Sequence, residues 1–493
     1  MGQTRAQTGD ESDALAADQT ATLVETTLAE IRDLYLEDSR PWVIGYSGGK
    51  DSNAALQLIW QAIAGLSSGQ RTKPVYVIAG DTLVETPVIV DYLGETLERI
   101  NAAAAAQGMP LTAHKVVPKT QDTFWVNLIG KGYPAPSTRF RWCTERMKIN
   151  PANRFIRERV AEHGEVIVVL GVRRQESATR AQVMSLRAIK GSLLSRHTKL
   201  PNAFVYTPIR DYSVDDVWTY LLQVPSPWGN NNEDLLAMYR NSSAGECPLV
   251  VDTSTPSCGN SRFGCWTCTV VTKDKAMEAM IDKGEEWLEP MLELRDFLAD
   301  TQDPARKVHV RDHVRRNGQI TPKRFGSPDD PFVRGPYRLD FCRDVLRRLL
   351  MAEAKARRTA PPGQTVELIS EAELHAIRRI WRYERNDWAD SLPHIYGEVT
   401  GKTLPWVVDD VAVFSSDDEE VLDSLCEEHG VPVRMVKSLI DTERELQGLK
   451  RRSEIMQRLN AVLGQEWRDE AEVAADIAAR ETDTSLLDAP QAG

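Results

Sequence analysis

The sequence predicts an α/β protein: a parallel sheet with helices on both faces, followed by a cysteine-rich module and a helical C-terminal region. Three observations predict it. Short runs that are apolar throughout alternate with segments apolar at helical spacing as far as Pro227. The stretch from Ser226 to about Pro336 is rich in Gly, Pro, Ser and Cys, with little periodicity before Ala276. From Tyr337 onward helical patterns dominate.

The elements follow in order. Met1 to about Thr20 is polar and acidic and reads as a disordered leader. TATLVETTLAEIRDLYLED has helical spacing. PWVIGYS is a buried strand, DSNAALQLIWQAIAGL a helix, PVYVIAGDT a strand and TPVIVDYLGETLERINAAAAAQG a long helix. LTAHKVVP, EVIVVLGV and AFVYTPIR are further strands, and VDDVWTYLLQV is a helix. LDFCRDVLRRLLMAEAKARR and DTERELQGLKRRSEIMQRLNAVL are helices of the C-terminal region, and an acidic, alanine-rich frayed helix or tail follows. The expected organisation is a leader over 1–20, a nucleotide domain over 21–227, a cysteine-rich module over 228–336, a helical region over 337–465 and an acidic tail over 466–493.

Composition bounds the function. The 493 residues suffice for two or three cored domains. Apolar runs such as VIVVLGV are far too short to span a bilayer, and the N-terminus lacks a charged-then-apolar signal region, so a cytoplasmic protein without membrane contact is expected. Seven cysteines, odd in number and sparse, argue against a disulfide framework. A net charge of −12 argues against a protein whose main task is gripping nucleic acid, and makes any such contact local or partner-assisted.

VIGYSGGKDSNAALQL carries the first chemical signal: strand, glycine turn, helix. It is not a Walker loop, because Asp51 follows Gly49-Lys50 and Ile44 stands at the first-glycine position. The physics is shared: glycines let the chain turn tightly, and backbone N–H groups and a helix N-terminus face an anion. Ser47, Ser52 and Lys50 add hydroxyls and a charge. The bland reading is a Gly-Gly turn between any strand and helix.

SGGKDS resembles the PP-loop of the ATP pyrophosphatase superfamily, which has the adenine nucleotide alpha hydrolase-like fold. Its members cleave ATP to AMP and pyrophosphate, passing AMP to an acceptor oxygen before a nucleophile replaces it. Three further segments resemble the phosphoadenosine-phosphosulfate reductase branch: AGDTLVETP (Ala79–Pro87), GVRRQESATR (Gly171–Arg180) and TPIRDYSVDDVW (Thr207–Trp218). The resemblance implies an ATP site of Tyr46, Ser47, Gly48, Gly49, Lys50, Asp51, Ser52, Asp81, Thr82, Gly171, Arg173, Glu176 and Arg180. Ser47, Lys50, Asp51 and Ser52 would carry the chemistry, with Mg2+ as the metal. Gly171 would let backbone approach the nucleotide, and Arg173 and Arg180 would face phosphates with forked guanidinium groups. Each segment also has a structural reading: Asp81 as a helix cap, Glu176 with Arg180 as a surface pair.

CGNSRFGCWTC sets Cys258, Cys265 and Cys268 in a glycine-bearing loop, and three thiolates so close read as metal ligands. Four thiolates suit zinc or a 4Fe-4S cluster, and one C-x2-C knuckle with one distant partner favours the cluster. The fourth ligand is Cys143 or Cys247. Cys143 is favoured, because its R-W-C setting resembles a segment near the reductase-branch active site. Cys342 and Cys426 lie in helical patterns and read as inert core thiols.

Together the motifs resemble the DndC/SspD-type ATP pyrophosphatases of bacterial DNA phosphorothioation, over roughly residues 20 to 465, without separating the two types. That family implies ATP, a 4Fe-4S cluster, a cysteine desulfurase as sulfur donor, other phosphorothioation-system proteins as partners, and sulfur replacing a non-bridging oxygen of a DNA phosphate, an activity tied to restriction-modification. Two basic stretches are candidate DNA-facing surfaces, carrying Arg174 and Arg187 in one and Arg311 and Arg315 in the other. Rival readings are a sulfonucleotide reductase, against which the cysteine-free tail counts, a tRNA thiolase, and an ATP-binding assembly scaffold.

Overall fold

The computed structural model describes residues 4–176, 178–240, 264–327, 330–407, 416–445 and 452–487. The chain divides into two compact units. The first is Met1–Phe124, Pro136–Leu292 and Ala360–Thr365; the second is Trp125–Ala135, Glu293–Thr359 and Val366–Gly493.

The first unit is the expected α/β layer structure. Its strands are β1 (Trp42–Tyr46), β2 (Val75–Gly80), β3 (Leu111–Val116), β4 (Val166–Leu170), β5 (Ser195–Arg196) and β6 (Ala203–Tyr206). They form one sheet in the order β3-β2-β1-β4-β6-β5. Every pairing is parallel except β5 with β6. All five residues of β1 are buried, as a central strand covered on both faces requires. The helices are α1 (Thr4–Glu37), α2 (Lys50–Ala64), α3 (Pro87–Ala106), α4 (Asn150–His163), α5 (Ala178–Arg187), α6 (Val214–Gln223), α7 (Asn232–Arg240) and α8 (Lys275–Ile281). One core cluster packs α1, α2, α3 and α6 around Trp42, Ile44 and Tyr46; a smaller one packs Ala152 and Ile156 of α4 against Val43, Ile78 and Val168.

Strand order fixes where ligands go. β1 lies between β2 and β4, in register at Tyr46 with Ala79 and at Gly45 with Leu170. The carboxyl ends of β2, β1 and β4 therefore lie side by side. The turn after β1 is Ser47–Gly49, the segment after β2 opens at Asp81 and that after β4 at Gly171. Parallel topology alone thus brings three segments distant in sequence to one edge, at the point where strand order reverses.

The second unit is built around α11 (Leu339–Thr359), α12 (Glu371–Glu384) and α13 (Ser391–Thr400), preceded by α9 (Glu289–Asp300), α10 (Pro304–Val310) and a hairpin of β7 (Pro322–Ser327) and β8 (Asp330–Phe332). Helices α14 (Ser416–His429), α15 (Val433–Glu445), α16 (Arg452–Leu463) and α17 (Glu470–Leu487) complete it.

These units depart from the expected boundaries. Residues 228–336 do not form a module of their own: the part through Leu292 belongs with the sheet and the rest with the helical unit. The segment Trp125–Ala135 leaves the sheet unit altogether. Its π-helical turn Val126–Gly130 is wholly buried, with Trp125 Nε1 donating to Leu368 O at 2.7 Å and Trp381 Nε1 to Ile129 O at 2.8 Å. Four of its five residues are apolar or small, and they find their core against α11 and α12. The polar leader is helical from Thr4. The acidic tail forms α17, where Val473 is buried and Glu470 pairs with Arg334 at 2.7 Å. Among the described residues no helix is long and apolar enough to cross a membrane.

Candidate active site

The site begins at the end of β1. Gly48 has φ +74°, a conformation that suits glycine, and Gly49 is the N-cap of α2. Ser47 Oγ and Ser52 Oγ lie 3.1 Å apart, and Ser52 Oγ donates to Gly49 O at 2.9 Å. The two hydroxyls thus stand over the turn at the positive end of α2. Asn53 ties the turn down from below. Its Nδ2 donates to Gly48 O at 2.8 Å and Gly49 O at 3.1 Å, while its Oδ1 accepts from Tyr46 Oη at 2.9 Å. Burial pushes the Tyr46 phenol well above its ordinary range, against the pull of the Asn53 hydrogen bond, so it stays a neutral donor.

Lys50 and Asp51 open α2 and are buried. Lys50 Nζ binds Asp51 Oδ2 at 2.9 Å, and Asp51 Oδ1 accepts from Arg173 Nε at 2.6 Å. One carboxylate therefore holds a cation from the first segment and one from the third. Arg173 is 1% exposed, and its Nε is turned inward onto the loop. Glu176 Oε1 accepts from Arg173 N at 3.0 Å and so shapes the turn.

Gly171 packs directly on the loop. A Cβ there would lie 2.5 Å from Asp51 O, 2.8 Å from Asp51 C and 3.0 Å from Ser52 Cα. The bare glycine makes room for the protein's own loop. Arg180 lies in α5, and its side chain is outside the described set.

The segment after β2 is the wall shared with the cysteines. Asp81 is buried, with Oδ1 accepting from Leu83 N at 2.8 Å and Oδ2 3.3 Å from Lys115 Nζ. Thr82 Oγ1 lies 3.2 Å from Cys265 Sγ. Glu85 forms an antiparallel bridge with Cys265, and Trp266 N donates to Val84 O at 2.9 Å. Cys268 N closes the C-W-T-C turn onto Cys265 O at 3.0 Å, and Thr269 Oγ1 anchors it to Pro136 O at 2.6 Å.

Cys143, Cys265 and Cys268 line one cavity, with Thr86, Phe124, Met147 and Met277. Cys143 stands at the start of a π-helical turn, Thr144–Ile149. Arg141, Lys148 and Lys273 also line it, supplying positive charge beside the sulfurs. Burial nonetheless pushes the Cys265 thiol up, against the pull of Lys148. Three thiols from two segments in one mostly apolar cavity fit a thiolate-bound cluster in donor chemistry. Among the described residues no group of three or more His, Cys, Asp or Glu is placed to hold a metal ion. Cys258 and Cys247 lie outside the described residues. Cys342 is buried in the second unit, its Sγ accepting from Arg385 Nη1 at 3.1 Å, and Cys426 is buried as well.

The basic stretches divide. Arg174 pairs with Asp211 at 2.9 Å and is half exposed, and Arg187 ends α5. In the second unit Arg315 is exposed, but Arg311 corrects the expectation: its guanidinium donates to the backbone carbonyls of Gly335 and Arg334.

Two participants are not among the residues expected from the sequence. Tyr239, on α7, accepts a hydrogen bond from Lys50 N at 3.1 Å and lies under Lys50 Nζ, 5.5 Å from ring centroid to nitrogen. Nothing in its surroundings marks it, and only the fold brings it near. Asn53 directly follows the SGGKDS string and was findable as a brace for two glycine carbonyls.

The fold and this edge of the sheet define a parallel α/β domain with a glycine turn and a helix N-terminus at its switch point. Residues 41–271 match the model of the Phosphoadenosine phosphosulfate reductase domain family. Over 198 residues the chain is 27% identical to the uncharacterized protein MJ0066 of Methanocaldococcus jannaschii, covering 40% of this chain and 35% of that protein. The chain thus spans about a third of the length of this curated relative. The U34-tRNA thiolase NcsA from Methanococcus maripaludis, solved with its 4Fe-4S cluster, aligns over 58% of this chain and 80% of its own. That alignment has 13% identity and a TM-score of 0.26, too slight a likeness to argue from.

Proposed function

We propose that this chain is an ATP pyrophosphatase and sulfurtransferase that activates a DNA backbone phosphate by adenylation so that sulfur replaces a non-bridging oxygen. The observation that carries this reading is the shared wall. The segment that follows β2 borders the glycine turn through α3, where Leu93 and Tyr92 lie beside Gly48, and holds Cys265 through Thr82. Nucleotide chemistry and sulfur chemistry would then meet across one short stretch of chain.

In the proposed order, a non-bridging oxygen of the DNA phosphate attacks the α-phosphorus of Mg2+–ATP. The bond between α-phosphorus and the bridging oxygen breaks, and pyrophosphate leaves into the Ser47–Ser52 turn. Lys50 leaves Asp51 to meet the leaving charge, while Arg173 keeps Asp51 paired. The terminal sulfur of a persulfide, supplied by a cysteine desulfurase, then attacks the DNA phosphorus, and AMP departs with the displaced oxygen. A thiolate cleaves the resulting S–S bond, leaving sulfur on phosphorus, and an external thiol reductant reopens the disulfide. Cys143, Cys258, Cys265 and Cys268 would hold a 4Fe-4S cluster, which supplies a sulfur- or electron-handling centre when bound. Arg174, Arg187 and Arg315 are the proposed phosphate contacts. Other phosphorothioation proteins would share the DNA, since the chain is acidic overall.

The test is product identity. Purified protein with ATP, DNA and a cysteine desulfurase is expected to form AMP and pyrophosphate, not ADP, and Ser47→Ala to reduce AMP formation by about 10²- to 10³-fold, the scale of losing one oxyanion donor. Unchanged AMP formation in Ser47→Ala contradicts the reading. AMP formation that depends on a free sulfonucleotide instead of DNA moves the chain to the reductase reading.

A further inference from the structure

The Asp81–Pro87 segment resembles a nucleotide-binding motif, yet its second residue does not behave as a nucleotide ligand. Thr82 is 1% exposed. Leu83 takes φ +62°, rare for a leucine, and its N–H is held by Asp81 Oδ1 at 2.8 Å. This turn keeps the Asp81 carboxylate on its own backbone and on Lys115, while Thr82 Oγ1 sits 3.2 Å from Cys265 Sγ, where either atom can donate, and donates at the longer distance of 3.4 Å to Glu85 Oε1. Backbone fixes the same approach twice, through the Glu85–Cys265 bridge and the Trp266 N to Val84 O bond at 2.9 Å. The side chain is β-branched and buried, so it has few rotamers to choose from.

We infer that Thr82 is a positioning residue for Cys265, setting the orientation and electron density of that sulfur, and not a ligand of ATP. A threonine hydroxyl has one proton to give. A thiolate cannot donate, so beside a deprotonated Cys265 the hydroxyl turns from Glu85 at 3.4 Å to the nearer sulfur at 3.2 Å. Hydrogen bonds to ligating sulfurs set cluster potentials, and partners one shell out from a metal contribute about 10- to 100-fold in metal affinity. The inference rests on the proposed cluster reading of Cys265, but the contact itself does not.

The test uses the full chain with Thr82→Val, which keeps shape and removes the hydroxyl, and Thr82→Ser, which keeps the hydroxyl. After anaerobic reconstitution, Thr82→Val is expected to hold iron and sulfide about tenfold more weakly. Any cluster it retains should show an altered EPR signal and a lower reduction potential, because the reduced sulfur loses a donor. Thr82→Ser is expected to match wild type. The ATP dissociation constant is expected to stay within about twofold in both, far below the tenfold that 1.4 kcal/mol represents. Alkylation of Cys265 in metal-free protein, followed by mass spectrometry, gives a second readout: its rate should change severalfold in Thr82→Val alone. Weakened ATP binding in Thr82→Val, with Cys265 alkylation and any cluster signal unchanged, overturns the inference. If wild type takes up no iron, the cluster reading fails, and the alkylation rates still decide the role of Thr82.

Discussion

Gly171→Ala is expected to cut nucleotide turnover by about a hundredfold or more, the cost of displacing reacting groups by roughly an ångström. The reason is contact, not torsion: Gly171 is not among the glycines at positive φ. The new methyl would meet Asp51 O at 2.5 Å and Ser52 Cα at 3.0 Å, all backbone. A flexible side chain could swing away, but a helix N-terminus cannot. Relief requires pulling the end of β4 away from the start of α2, which carries Lys50, Asp51 and Ser52 with it. Overpacking of this kind also costs about 1–3 kcal/mol of stability. AMP formation and thermal unfolding, measured on the same sample, check both halves. Turnover within threefold of wild type would mean that the close approach is unimportant.

Asp51→Ala is expected to have the largest effect on stability, about 3–5 kcal/mol, the usual result of removing one partner from a buried ionic network. Asp51 joins Lys50 at 2.9 Å and Arg173 at 2.6 Å, and those two side chains are 3% and 2% exposed. The substitution leaves two buried cations, Lys50 and Arg173, without the carboxylate between them. Chemical denaturation reads the loss. Added pyrophosphate should recover part of it, since an anion in the turn replaces the missing charge. A loss below about 1 kcal/mol would place Asp51 with ordinary surface pairs.

The sheet was legible because its strands are apolar on both faces and its punctuation is strong. PWVIGYS, PVYVIAGDT and EVIVVLGV have no polar alternation, and each ends in a polar or glycine-bearing motif. Parallel order then placed the three motifs together without further information. What was not legible depends on contacts distant in sequence. Arg173 and Gly171 sit in a motif whose residues invite a phosphate reading, and their contacts with Asp51 are visible only in the fold. A motif states residue types, not directions. VNLIG at Val126–Gly130 lies between segments of the sheet unit but belongs to the other core, and no local pattern distinguishes the two. The cysteine-rich stretch looked like a separate module because it lacks periodicity. Cys265 and Trp266 join the sheet unit by backbone pairing to Val84 and Glu85, which composition cannot register. Helix α4 has buried residues only in its first half, at Pro151, Ala152, Asn153 and Ile156, too few for an apolar stripe to be seen.

The proposed spending of ATP to place sulfur on DNA is tested most directly by mass spectrometry of nuclease-digested DNA from the native host, comparing wild type with Ser47→Ala and Cys268→Ser. Sulfur-bearing dinucleotides are predicted in wild type and absent from both variants. DNA without sulfur in wild type, or with sulfur retained in both variants, contradicts the claim.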